Sequence, residues 1–370
     1  MKKILSIFGT RPEATKMIPV LLALQAEPKL ESIICVTAQH RELLDMVLTP
    51  FGIVPDYDLN IMTHGQSPHD IVNRALLGIA PIIEKIKPDI LLVHGDTTTT
   101  FVASLAAFYA KVPVGHVEAG LRTYDKFRPY PEEVNRKLVS AIADLFFAPT
   151  ELSRQNLLEE NIPDKLITVT GNTAIDYLKY AVKEDYIFER EALNKLDYTK
   201  KIILVTAHRQ ENQGPPMEAI CRAILRLAND FADSQIIWAL HPGKGASDPA
   251  RRILSGHPRI LLTEALIPFD IINLMRRTHL LLTDSGGLQE EAPAFDLPTV
   301  VMRELTERPE GLEAGTLVLA GVEEASIYNH AAKLLTDEAA YSRMANAKNP
   351  FGDGEASGRI VQAILKFLNL

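Results

Sequence analysis

The chain has 370 residues, of which 46% are hydrophobic and 23% charged, a globular balance that excludes a disordered or fibrous polymer. A single hydrophobic core stops growing at about 250–300 residues, so this length predicts two domains. Lys+Arg number 39 against 47 Asp+Glu, and the resulting net charge of −8 excludes a broad nucleic-acid-binding face, though not a small basic pocket for one phosphorylated ligand.

The first apolar run, Ile4 to Phe8, stops at Gly9-Thr10-Arg11-Pro12, too early for a signal peptide. Further runs follow at Ile33 to Val36, Ile90 to Val93, Val112 to Val117, Leu145 to Ala148 and Ile167 to Val169, separated by helix-length stretches such as Thr15 to Ala26 and Thr97 to Ala110. After a charged helical stretch (177–201) the pattern restarts at Ile202 to Val205. It continues at Ile236 to Leu240, Ile260 to Leu262, Leu280 to Leu282, Thr299 to Met302 and Leu317 to Leu319. Short continuous apolar runs suit strands covered on both faces, and their alternation with helices predicts parallel sheets. The expectation is an α/β protein of two Rossmann-like domains with about six strands each. The tail from Ala356 to Leu370 reads as one amphipathic helix, with Ile360, Ile364, Leu365 and Leu368 on one stripe. Cys35 and Cys221 read as buried thiols of a reducing compartment, no Cys/His spacing matches a zinc site, and no apolar run is long enough to span a membrane. A soluble cytoplasmic protein is expected, with no metal and no membrane or nucleic-acid partner.

In open parallel sheets, ligands bind beyond the carboxyl ends of the strands, and here those ends carry most of the polar chemistry. After the first strand, Pro12 opens a helix and Arg11 and Lys16 stand near its start, an anion-friendly turn. Ser285-Gly286-Gly287 also opens a helix and can offer backbone N–H groups to a phosphate, while Glu290 or Glu291 could take a ribose hydroxyl; the competing reading is a helix capped by Asp284 or Ser285. Two such turns suggest a diphosphate held in a cleft between domains. Asp96 and Glu118 follow strand ends, and the pair Glu132-Glu133 stands just before a helix; Asp96 precedes four threonines that suit a helix poorly. Carboxylates meeting on one rim can supply both an acid and a base. His208 and Arg209 follow the first strand of the second half, as an acid/base group and an anion ligand, whereas the charged loop 306–311 reads as solvated.

Taken in order, FGTRPEA, TAQHRE, HGDTTTT, GHVEAGLRT, PEEVNR, TGNTAID, TAHRQEN, TDSGGLQEEAP, MRELTERPEG and NPFGDG resemble the non-hydrolysing UDP-N-acetylglucosamine 2-epimerase family of bacteria, nearly end to end. The resemblance implies a GT-B-like arrangement with the active site in the interdomain cleft, an N-terminal domain of residues 1–171 plus a returning helix at 358–370, and a UDP-binding domain at 172–357. It implies a homodimer that needs no cofactor and interconverts UDP-N-acetylglucosamine and UDP-N-acetylmannosamine through UDP and 2-acetamidoglucal. By motif, Asp96, Glu118, Glu132 and His208 match the catalytic groups. Arg11, Lys16, Phe269, Ser285, Gly286, Gly287, Glu291 and Arg308 match substrate-binding positions, which overrules the solvated reading of Arg308. Gln39, His40, Glu42 and Arg209 match the region where some members hold a second substrate molecule as activator. The pattern departs there at Glu42 and near Gly65, so activation stays open. The alternatives are a GT-B glycosyltransferase using a UDP-sugar and an epimerase of a related UDP-diacetamido sugar.

Overall fold

The computed structural model describes residues 1–37, 41–61 and 67–370. Gln39, His40 and Gly65 lie outside the described residues, as does the side chain of Glu42. The chain forms two compact units, Met1–Tyr177 joined by Gly352–Leu370, and Leu178–Phe351.

In the first unit the strands are β1 (Lys2–Phe8), β2 (Leu30–Val36), β3 (Tyr57–Asp58), β4 (Ile90–His94), β5 (Val114–Val117), β6 (Leu145–Ala148) and β7 (Ile167–Val169). They lie in the order β3-β2-β1-β4-β5-β6-β7, every pair parallel. The second unit holds β8 (Lys201–Thr206), β9 (Ser234–Ala239), β10 (Ile260–Thr263), β11 (Leu280–Thr283), β12 (Thr299–Val301) and β13 (Leu317–Leu319), in the parallel order β10-β9-β8-β11-β12-β13. The strand beyond the expected six in the first half is β3, whose two residues are too short to leave an apolar signature.

Both sheets are doubly wound, and each reverses its strand order beside its first strand. The switch points lie between β1 and β4 and between β8 and β11. The register pairs Ile7 with Val93, and Thr206 with Thr283. The loops after these strands therefore leave the sheet side by side, the crevice where such folds bind ligands.

The strands are apolar on both faces because helices cover both. On one face of the first sheet, Leu5, Ile7, Leu91 and Val93 pack with Ile79 and Ile83 of the helix Pro68–Ile86 and Val102 of the helix Thr98–Tyr109. In the second unit, Ile203, Val205 and Trp238 pack with Ile220, Ile224 and Leu227 of the helix Pro215–Asp230. Each such aliphatic side chain contributes about 1.5–3 kcal/mol through burial. The final helix, Ala356–Phe367, packs on the helix Arg11–Ala26 and buries Ile360, Val361, Ile364 and Leu365. Its start is held by buried Asp176, which accepts from the Ser357 N–H at 2.7 Å and the Ala356 N–H at 3.1 Å. A carboxylate at that end also opposes the positive pole of the helix. Leu368, assigned to the apolar stripe, lies just past the last turn and is half-buried.

Candidate active site

The first switch point is closed by a residue that the strand-end reading passes over. Glu13 is only 3% exposed, although it sits one turn into the helix that follows β1. Its Oε2 accepts from the N–H groups of Gly9 at 3.1 Å and Thr10 at 2.7 Å, and its Oε1 accepts from Thr97 Oγ1 at 2.8 Å. Burial pushes its carboxyl above the ordinary value, against these hydrogen bonds. Glu13 thus ties the β1 loop to the β4 loop, and it occupies the N–H groups of Gly9 and Thr10 just before the helix. Arg11, at the first helical position, is exposed.

The threonine run has a structural account. Thr97 caps the helix Thr98–Tyr109 by accepting from the Thr100 N–H at 3.2 Å, and Thr100 Oγ1 donates to the His94 carbonyl at 2.6 Å. Thr99 and Thr37 share a buried hydrogen bond of 3.0 Å. A Cβ on Gly9 would stand 2.0 Å from Thr37 Oγ1 and 2.9 Å from Thr99 Oγ1. Gly9→Ala should therefore lower stability by about 1–3 kcal/mol in thermal unfolding; an unchanged melting temperature would contradict this packing.

Three carboxylates follow, each in a different setting. Glu118, just after β5, is held at a left-handed φ of +62°. Its Oε1 pairs with Lys16 Nζ and accepts from Asn172 Nδ2 at 3.3 Å, and its Oε2 lies 3.5 Å from His94 Nε2. His94 is buried, and neither ring nitrogen has a hydrogen-bond partner among the described residues. Burial holds its pKa down at about 4, so it is neutral at neutral pH. Asp96 is gripped by Arg136, whose Nε and Nη2 reach Asp96 Oδ2 at 2.8 and 2.7 Å. Arg136 Nη1 bonds Glu133 Oε2 at 3.0 Å. Glu133, 1% exposed, in turn accepts from the N–H groups of Thr123 and Tyr124, both at 3.0 Å. Its neighbour Glu132 is different: Oε2 is buried with no hydrogen-bond partner among the described residues. Of the two acids left undivided by spacing, Glu133 builds the loop and Glu132 has an oxygen to spare.

At the second switch point, Asp284 does not cap the following helix. The N-cap is Ser285, and Asp284 turns back so that Oδ2 accepts from the N–H groups of His208 and Arg209, both at 2.8 Å. His208 is partly exposed and stacks on His241, with ring centroids 5.4 Å apart. Two guanidinium groups converge over the Ser-Gly-Gly turn. A Cβ on Gly286 would lie 3.6 Å from Arg209 Nη2 and 3.8 Å from Arg308 Nη2. Arg308 is aimed by an ion pair from its Nε to buried Glu290, and Thr306 of the same loop donates to Gln289 at 2.5 Å. The charged loop 306–311 is thus packed onto the turn rather than solvated. Glu291 stands beside Gly287, its Oε1 3.9 Å from where a Cβ would be. Phe269 is half-buried in the first turn of the helix Pro268–Met275, and its carbonyl accepts from Asn273 Nδ2 at 2.9 Å.

The first unit therefore carries Arg11, Lys16, Asp96, Glu118 and Glu132, and the second His208, Arg209, Phe269, Ser285, Gly286, Gly287, Glu291 and Arg308. Sequence reasoning missed Glu13, His94 and Arg136, and of its two cap candidates the N-cap is Ser285, while Asp284 binds the backbone of His208 and Arg209. Among the described residues no group of three His, Cys, Asp or Glu side chains could hold a metal ion, and no helix is long and apolar enough to cross a membrane.

Two doubly wound parallel sheets, with acids at one switch point and paired arginines over a glycine turn at the other, define an α/β enzyme of the Rossmann-like type. The family model described as UDP-N-acetylglucosamine 2-epimerase matches residues 22–365, and the chain belongs to that family. The UDP-N-acetylglucosamine 2-epimerase of Bacillus subtilis is 50% identical over 363 residues, which cover 98% of this chain and 95% of that protein. The S. aureus MnaA–UDP structure is 48% identical with a TM-score of 0.90, covering 100% of this chain and 98% of that one. The Neisseria meningitidis UDP-GlcNAc 2-epimerase bound to UDP-GlcNAc is 46% identical with a TM-score of 0.89, covering 98% and 100%.

Proposed function

We propose that the protein interconverts UDP-N-acetylglucosamine and UDP-N-acetylmannosamine by elimination and re-addition of UDP, working in the cytoplasm as a homodimer. The C2 proton passes to a base, the C2–H electron pair forms the C1=C2 bond of 2-acetamidoglucal, and UDP leaves with the C1–O pair. UDP then re-adds at C1 while a proton reaches the opposite face of C2. Atoms and electrons balance with no redox step and no cofactor.

The observation that carries this reading is the distinct setting of each carboxylate on the first unit. Inversion at an unactivated carbon needs one group to take a proton from one face of C2 and another to deliver a proton to the opposite face, so more than one ionisable group must stand at the site. Glu118 faces Lys16, Asp96 is bound twice by Arg136, and Glu132 keeps an oxygen without a hydrogen bond. On the second unit, Arg209 and Arg308 over Gly286 are suited to a departing diphosphate, whose charge grows as the C1–O bond breaks. Glu291 beside Gly287 suits a ribose hydroxyl, and Phe269 suits the base.

The test is purified protein with UDP-N-acetylglucosamine in D₂O, followed by proton NMR. The expected result is UDP-N-acetylmannosamine with deuterium at C2, formed without any added acceptor. Epimer that retains protium at C2 would sink the elimination route, and turnover that requires a sugar acceptor would favour a glycosyltransferase.

A further inference from the structure

The pairing of β8 with β11 places Thr206 beside Thr283, their hydroxyls 2.7 Å apart. The residues that follow, His208 and Asp284, leave the sheet as neighbours. Asp284 is fully buried. Its Oδ2 is saturated, with the N–H groups of His208 and Arg209 at 2.8 Å each and Asn212 Nδ2 at 3.0 Å. Its Oδ1 makes no hydrogen bond among the described residues and faces His208 Nδ1 at 3.3 Å. A buried carboxylate oxygen without a hydrogen bond is costly unless it has a use. Helix capping is not that use, because Ser285 occupies the N-cap.

We propose that Asp284 is a positioning residue for His208, holding the imidazole as the Nδ1–H tautomer so that Nε2 is the nitrogen presented to substrate. The proposal rests on the epimerase reading above. An ionised carboxylate only accepts, so the nitrogen that faces it must carry the proton. Because Oδ2 is tied to the backbone of His208 itself, Oδ1 keeps its place relative to the ring. The 3.3 Å contact is longer than a good hydrogen bond, as contacts of this kind commonly are before substrate is bound. The other ionisable groups around the ring are His241, stacked on it, Arg209 and Glu211. Burial outweighs Asp284 and keeps the imidazole below its ordinary pKa, so near neutral pH the tautomer decides what Nε2 can do. When Nε2 takes a proton, the Asp284 carboxylate stabilises the imidazolium formed.

The test is Asp284→Asn in the full-length protein. The amide oxygen can keep the backbone donors, which turns the amide NH₂ toward Nδ1 and moves the ring proton to Nε2. Ring ¹⁵N NMR should show His208 as Nδ1–H in the wild type and Nε2–H in the variant. Turnover should fall by about 10²-fold or more, while UDP affinity by calorimetry stays unchanged. Near-normal turnover, or lost turnover with the tautomer unchanged, would overturn the proposal. So would an Nε2–H tautomer in the wild type, a measurement that stands even where the variant does not fold. A wild-type protein that does not epimerise UDP-N-acetylglucosamine would defeat the epimerase reading alone, because the tautomer measurement still decides the Asp284–His208 pair.

Discussion

Glu118→Gln is expected to lower turnover by about 10²–10⁴-fold while leaving the fold and UDP binding intact. The amide keeps the shape of the side chain and its contacts with Lys16 and Asn172, and it removes the ability to take a proton. The backbone argues that this carboxylate is aimed. Glu118 holds φ at +62°, a conformation that suits glycine or asparagine and costs other residues of order 1–3 kcal/mol. Its neighbours fix it there. Ala119 N–H donates to the Phe147 carbonyl at 3.1 Å, and a Cβ on Gly120 would lie 2.2 Å from the Ser153 carbonyl oxygen. The strain places the carboxylate between the Lys16 ammonium and the His94 imidazole rather than in solvent. The measurement is the C2 exchange rate in D₂O beside UDP affinity. A variant rate within a few-fold of wild type would remove Glu118 from the proton path.

The parts of this design that sequence revealed are those set by local rules. Continuous apolar runs followed by polar loops marked the strands, and the candidate site residues follow the carboxyl ends of β1, β4, β5, β8 and β11, where doubly wound sheets bind ligands. Strand ends differed by up to three residues, as at β2, which starts at Leu30 rather than Ile33, because apolar composition does not report where a hydrogen-bond ladder stops. Hidden were the partnerships that only the sheet order creates. Lys16 meets Glu118 across 102 positions of sequence, and His208 meets Asp284 across 76. Glu13 reads as an ordinary early-helix acid, and nothing local reports that the β4 loop closes over it. Arg136 lies three residues from Glu133 on one helix face, a spacing shared by countless surface ion pairs. What sets it apart is that it also reaches Asp96, which requires the helix Glu132–Ser140 to pass beside the end of β4. Helix and strand periods place residues on faces; they do not say which strand ends become neighbours.

The protein should lose stability between pH 6.5 and about 4, before most of its carboxylates titrate. His94 and His116 are both fully buried, and burial holds both at about pKa 4. His116 Nε2 lies 2.7 Å from the Gly95 carbonyl, a contact that opposes the shift without cancelling it. In the unfolded chain each imidazole takes up a proton near pH 6.5. Between those limits the unfolded state binds more protons than the native state, so stability rises with pH through the window and is fully present above it. Each histidine contributes about 3 kcal/mol of this loss, as an order of magnitude. Glu13 acts in the opposite sense, since burial raises its carboxyl above the unfolded value, and it offsets part of the slope. Asp353, held near pKa 2 by its hydrogen bonds with Arg359, contributes only at lower pH. Denaturant unfolding across this range should therefore show a steep decline whose slope corresponds to more than one proton. His94→Asn should remove one proton from that slope, with carboxylate-range behaviour unchanged. A His94→Asn variant whose slope from pH 6.5 to 4 matches that of the wild type would show that His94 takes up its proton near the ordinary imidazole pKa in the folded protein, against the burial that holds it at about 4.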